Sequence, residues 1–145
     1  MIISVPQTHN VSHLNNNLNK GIWMVWFYAD WCGHCKNMEH EWSKLENNCS
    51  KNNSINVARV RDDSINQLSN KTEVNGFPTI SLYNNGQPIE QYSGDRTNDA
   101  LMDYINNVLK SYKASNRNSL KRKSSKRKSS KKRSMVGGRY KKKLN

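Results

Sequence analysis

Two cysteines three positions apart, Cys32 and Cys35, follow directly on the apolar run Ile22-Trp23-Met24-Val25-Trp26-Phe27-Tyr28-Ala29 and precede a stretch, 36–48, that reads as a helix. The pair therefore lies where a buried strand ends and a helix begins. Backbone N–H groups at a helix N-terminus are unpaired, and the helix dipole favours negative charge there. A thiolate held at that point is stabilised, its pKa falls, and it becomes a nucleophile near neutral pH. The first cysteine is expected to be the exposed one. The second lies one turn in, placed to attack a mixed disulfide from behind. Such an arrangement suits dithiol–disulfide exchange. The other uses of such a pair are half of a metal site or two inert core thiols. Zinc takes four ligands. Cys49, His34 and His40 are the residues left to complete a set, and none offers a second pair at the required spacing. No metal and no separate cofactor is expected, since the Cys32–Cys35 couple would itself be the redox group.

The elements that must position the pair can be read from periodicity. Ile2–Val5 is a short strand stopped by Pro6. From Thr8 to Asn19, Val11, Leu14 and Leu18 fall at helical spacing behind a Thr8 or Asn10 cap. Residues 22–29 are apolar without interruption, as expected of a strand covered on both faces. Helix 36–48 carries Met38, Trp42 and Leu45 on one stripe; 55–60 reads as a strand, and 64–70 as a short helix with Ile65 and Leu68 inward. Gly76-Phe77-Pro78-Thr79 breaks the chain. A hairpin follows, with strands 79–83 and 88–92 about a turn at Asn84-Asn85-Gly86. The last helix starts near Thr97, with Leu101, Tyr104, Ile105, Val108, Leu109 and Tyr112 on one face. Strands alternating with helices imply an α/β fold with a parallel sheet, made mixed by the hairpin and flanked by helices on both faces.

Charge divides the 145 residues sharply. Residues 1–112 hold 9 of the 24 Lys+Arg and all 11 Asp+Glu, whereas 113–145 hold the other 15 Lys+Arg and no acid. A domain over 1–112 followed by a disordered Lys/Arg/Ser-rich tail over 113–145 is the expected organisation. The motif Lys121-Arg122-Lys123-Ser124-Ser125 repeats at once as Lys126-Arg127-Lys128-Ser129-Ser130. Such a tail suits nonspecific nucleic acid or an anionic surface, or a nuclear address. Phosphorylation of its serines would oppose that charge. Three cysteines argue against a disulfide-stapled secreted scaffold. The N-terminus lacks the pattern of a secretory signal, and the longest apolar run is far short of a membrane span. An intracellular setting, cytoplasmic or nuclear, is the expectation. The Asn- and Lys-rich composition also fits a domain encoded by a large cytoplasmic DNA virus, with the virion as its site.

Phe27-Tyr28-Ala29-Asp30-Trp31-Cys32-Gly33-His34-Cys35-Lys36 resembles the active-site segment of the thioredoxin superfamily, and its Gly-His filling is that of protein disulfide isomerases. Gly76-Phe77-Pro78-Thr79 is similar to the family's cis-proline loop, and Tyr92-Ser93-Gly94-Asp95-Arg96 to the segment before its last helix. The resemblance covers about residues 1–112 and implies a thioredoxin fold acting on protein thiols and disulfides. It casts Cys32 as attacking thiolate and Cys35 as buried resolving thiol. Pro78 is then cis and packed against the pair, Phe77 offers its main chain to substrate, and Arg96 assists deprotonation of Cys35. Trp31 and Gly33 complete the substrate rim. A cationic His34 beside Cys32 would stabilise the thiolate and make the disulfide more oxidising, toward about −180 mV. An unidentified reductase or oxidase would recycle the pair.

Two departures stand out. The buried carboxylate that family members carry six residues before the first cysteine is here Trp26, so that either Cys35 releases mixed disulfides slowly or another base serves it. The helix proline expected five residues after the second cysteine is His40. Cys49 reads as a surface or half-buried thiol, and Trp23 and Trp26 as core. Two functions are carried forward. The first is a thiol–disulfide oxidoreductase working through Cys32 and Cys35, with an oxidant-like motif but an expected reducing compartment. The second is a weakly active or inactive binding module of the same fold, held on a polyanion by the tail.

Overall fold

The apolar run before the cysteines becomes the middle strand of a five-stranded sheet in the computed structural model, which describes residues 1–5, 11–52 and 55–118. In chain order the elements are β1 (Ile2–Val5), α1 (Val11–Leu18), β2 (Ile22–Tyr28), α2 (Gly33–Asn52), β3 (Asn56–Arg61), a 3₁₀ turn (Asp62–Gln67), β4 (Thr79–Asn84) and β5 (Gln87–Tyr92). A last helix, α3, spans 98–118. The sheet order is β1-β3-β2-β4-β5. β1, β3 and β2 run parallel, while β4 and β5 are antiparallel to their neighbours. This is the mixed sheet that the order of elements implied.

β2 is apolar throughout because both of its faces are covered. Alternate side chains point to opposite faces of a strand. Trp23, Val25 and Phe27 join Val11, Leu14 and Leu18 of α1 in one buried cluster. Trp26, on the other face, meets Trp42 of α2 with ring centroids 5.4 Å apart. The α2 stripe of Met38, Trp42, Leu45 and Cys49 is buried, as are Leu101 and Ile105 of α3. The chain clusters into two units, 1–105 and 106–145. Within the first, α3 starts against α2: the Asn98 N–H donates to Glu41 Oε2 at 2.7 Å, and Asn48 Nδ2 donates to Asn98 Oδ1 at 3.1 Å. Thr97 Oγ1 caps the helix by accepting the Ala100 N–H at 3.2 Å. Within the second, residues 106–118 are helical. Regular structure thus continues through 118, beyond the boundary expected at 112. The repeat at 121–130, the rest of the tail and the Thr8 or Asn10 cap lie outside the described residues.

The hairpin turn has a physical signature. Asn85 and Gly86 both have positive φ, 49° and 87°, as a two-residue turn matched to strand twist requires. A Cβ on Gly86 would also stand 2.3 Å from Asn19 Oδ1, so the Asn19 amide would have to turn away. One expectation is refined here and one corrected. The short helix expected over 64–70 is a 3₁₀ helix two residues earlier, from Asp62 to Gln67, closed by the Leu68 N–H on the Ile65 carbonyl at 3.1 Å. The segment is too short to repay α-helix nucleation, and the tighter i→i+3 turn still brings Leu68 inward. Cys49 is not at the surface. Helix α2 continues to Asn52 rather than ending at 48, so Cys49 sits one turn past Leu45 on the buried stripe, 1 % exposed.

The Asn98 N–H holds the Glu41 carboxylate below the ordinary range, with Lys44 adding to the effect. A carboxylate depressed in the folded state stabilises above its unfolded pKa, and that contribution is lost as pH falls through the folded value. Glu41→Gln is therefore expected to lower the thermal midpoint at about pH 6 and to converge on wild type near about pH 3, as measured by circular dichroism melts.

Candidate active site at the start of α2

The turn that carries the cysteines is defined by backbone. The Cys32 N–H donates to the Ala29 carbonyl at 3.1 Å, and the Lys36 N–H to the Cys32 carbonyl at 3.2 Å. Helix α2 begins at Gly33, three residues earlier than its apolar periodicity suggested. Cys35 therefore lies inside the first turn, and its N–H donates to Cys32 Sγ at 3.2 Å. A sulfur at this position receives one of the unpaired helix N–H groups and faces the positive end of the dipole. Both cysteines are free thiols, so the structure describes the dithiol form.

Cys32 was expected to be exposed. It is 5 % exposed, against 3 % for Cys35. The bond to Ala29 folds residue 32 back over the strand end, and its sulfur turns toward the Cys35 N–H instead of outward. Burial pushes the Cys35 thiol up to about 12, and its hydrogen bond with Cys32 pushes the same way. A hydrogen bond from the Ala29 backbone and the positive charge of Arg96 act in the opposite sense. Arg96, exposed in the loop before α3, is thus near enough to favour the Cys35 thiolate.

The surroundings of the pair come from three further segments. Trp31 is 73 % exposed, and its ring meets Phe77 edge-on at 5.8 Å. This contact places the Gly76-Phe77-Pro78 loop beside the cysteines. The sheet does the same, since Phe27 near the end of β2 pairs with Thr79 at the start of β4. The Phe77–Pro78 peptide bond is cis. Thr79 Oγ1 donates to the Gly76 carbonyl at 2.7 Å and tightens the loop. Trp31 Nε1 donates to Asp62 Oδ2 at 3.3 Å, which orients the indole from the end of β3. Gly33 and His34 are exposed on the first turn of α2. A Cβ at Gly33 or Gly76 would meet nothing within 4 Å, so space is open at both glycines.

Trp26 occupies the layer between sheet and α2. It is 1 % exposed and packs on Trp42 and Tyr28. Its sheet neighbour is Arg59, whose guanidinium stands 5.4 Å from the ring centroid. Arg59 in turn meets Glu46 at 2.8 Å and Glu39 at 3.6 Å. No carboxylate is among the groups that act most strongly on Cys35. Asp62 and Arg59 carry no local signal linking them to this site, because neither lies near the cysteines in the chain. Only the pairing of β3 with β2 brings them there. A charged residue inside the β3 pattern was the one available signal. Among the described residues, no group of three or more His, Cys, Asp or Glu side chains is arranged to hold a metal ion.

Comparison with known proteins agrees with this geometry. Protein disulfide-isomerase A6 of Mesocricetus auratus is 39 % identical over 84 residues, covering 56 % of this chain and 19 % of its own. Protein disulfide isomerase-like 2-1 of Oryza sativa subsp. japonica is 40 % identical over 85 residues, covering 57 % of this chain and 23 % of its own. The chain thus spans about a fifth of the length of these curated relatives. Among solved structures, the zinc-bound form of human ERp44 superposes with a TM-score of 0.62 at 26 % identity, covering 75 % of this chain and 31 % of that one. The first thioredoxin domain of mouse protein disulfide-isomerase A4 gives 0.54 at 28 % identity, covering 67 % of this chain and 69 % of that one. The Thioredoxin family model matches residues 5–107, and the chain belongs to the thioredoxin family.

Proposed function

We propose that this chain is a thiol–disulfide oxidoreductase acting on protein substrates through Cys32 and Cys35. The observation that carries the reading is the Cys35 N–H bonded to Cys32 Sγ at the first turn of α2, with the second thiol buried directly behind. In the reductive direction, the Cys32 thiolate attacks a substrate disulfide. One substrate sulfur leaves as thiolate, and a Cys32–substrate mixed disulfide forms. Cys35 then attacks Cys32, closing the intramolecular disulfide and releasing the second substrate thiol. The exposed Trp31 edge, Phe77 and the open space over Gly33 and Gly76 suit an extended peptide laid across the pair. Pro78 shapes that edge, and Arg96 favours ionisation of Cys35. The same couple runs in reverse as oxidant or isomerase when its partner supplies a disulfide.

The competing reading is a binding module with little activity, favoured by buried Trp26 standing where family members carry a carboxylate. The two separate cleanly. The dithiol protein is expected to accelerate insulin disulfide reduction by dithiothreitol, with Cys32→Ser returning the rate to background and Cys35→Ser accumulating covalent adducts. Equal rates for wild type and Cys32→Ser, with no adducts, would leave the binding module standing.

The basic C-terminal segment supports a second role, attachment to nucleic acid or another polyanion by phosphate neutralisation. Residues 119–145 carry 13 of the chain's 24 Lys+Arg. Their removal is expected to abolish DNA binding, whose log–log salt slope should be about −0.9 per phosphate neutralised, while insulin reduction persists. Retention of the same slope after truncation would refute the assignment.

A further inference from the structure

Resolution of a mixed disulfide requires Cys35 to lose a proton while Cys32 is tied to substrate. Among the described residues, the layer between sheet and α2 is filled by Trp26 and Trp42, and an indole N–H can only donate. Both Nε1 atoms are buried without a hydrogen-bond acceptor. Tyr28, next to Trp26, stays protonated, because burial and the charge of Asp30 raise its phenol. Arg96 attracts a thiolate, but a guanidinium offers donors and no acceptor.

Helix α2 supplies the missing group from its edge. Residues 35, 39, 42 and 46 follow the spacing of one helical stripe, so Glu39 stands one turn after Cys35 on the face that carries Trp42. Side chains at i and i+4 have Cβ atoms about 5–6 Å apart. That distance lets a carboxylate reach a thiol directly or through one water. The two glutamates on this stripe are held very differently. Glu46 is 16 % exposed and locked to Arg59 at 2.8 Å. Glu39 is 61 % exposed and touches the same guanidinium only at 3.6 Å. The contact is long and its Glu39 end lies in solvent, so it holds Glu39 less firmly than the shorter contact holds Glu46, and Glu39 is open to water on its outer side.

We propose that Glu39 is the proton acceptor for Cys35 in the resolving step. The Cys35 S–H proton passes to the Glu39 carboxylate as Cys35 Sγ attacks Cys32 Sγ. The Cys32–substrate S–S bond breaks, the Cys32–Cys35 bond forms, and the substrate sulfur leaves with both bonding electrons. The proton on Glu39 then passes through water to the released thiolate. The inference rests on the exchange reading above. The charged and titratable groups facing this layer are Cys32 and Glu39 of the α2 turn and helix, Tyr28 of β2, Arg59 of β3 with Glu46 paired to it, and Arg96 ahead of α3.

A single-turnover experiment tests it. The reduced full-length protein is mixed with a self-quenched, doubly labelled glutathione disulfide. Acid quenching and mass spectrometry then separate mixed-disulfide formation from its Cys35-dependent resolution. Glu39→Gln is expected to form the mixed disulfide at the wild-type rate and to resolve it at least about tenfold more slowly at pH 7. The gap should narrow as pH rises and hydroxide takes over, and Glu39→Asp should recover part of the rate. Glu46→Gln breaks the shorter contact to the same Arg59 and is expected to resolve as wild type does. Resolution by Glu39→Gln at the wild-type rate overturns the proposal, as does equal slowing in Glu46→Gln, which would assign the effect to Arg59. Wild type that forms no mixed disulfide at all would instead remove the exchange reading, and this proposal with it.

Discussion

A single backbone hydrogen bond, from the Cys35 N–H to Cys32 Sγ, sets what this domain can do. It exists because α2 begins at Gly33, immediately past the turn closed by Cys32 on Ala29. The position of the sulfur is thus inherited from main chain rather than from a side-chain network. That matters energetically, since a helix terminus is anchored by its whole first turn, whereas a charge supplied by a surface side chain is screened and mobile. Burial of β2 on both faces fixes where the strand ends, and hence where the turn and helix must start.

The second sulfur sits under the opposite pressure. Cys35 is buried, and what surrounds it holds it as a thiol. The layer beneath α2 is aromatic, with Trp26 against Trp42 and the Arg59 guanidinium stacked over Trp26 at the boundary with solvent. Two glutamates face that guanidinium, so a cation near the core is compensated without a carboxylate entering the core itself. Charge is thereby kept at the rim of the layer: a backbone N–H faces Cys32 Sγ, Cys35 is buried behind it, and Arg59 with its two glutamates lies at the edge.

The reach of the site toward a substrate depends on contacts between distant segments. Trp31 is held between Phe77 by ring contact and Asp62 by hydrogen bond, so the exposed indole is oriented from β3 and from the loop before β4 together. The aromatic edge is preformed, which lowers the ordering cost of laying a peptide on it.

Much of this was legible in the residues. The apolar run ahead of Cys32, the Asn85-Gly86 turn and the helical stripes of α1 and α2 are local patterns, and local patterns follow from backbone geometry and burial. The order of strands and helices led to the mixed sheet for the same reason. What the chain could not disclose depends on pairing between strands. Register sets Arg59 beside Trp26, and the end of β3 brings Asp62 under Trp31. Neither follows from spacing along the chain. Cys49 looked peripheral because its neighbours are polar, yet helix continuation to Asn52 carries it into the core. Cys32 looked exposed, and the turn onto Ala29 buries it. The sequence by itself determined which two sulfurs stand together and that a helix begins beside them, because those are properties of a few consecutive residues. Only the tertiary structure decided what each sulfur faces, because burial and charge are summed over segments that meet in space.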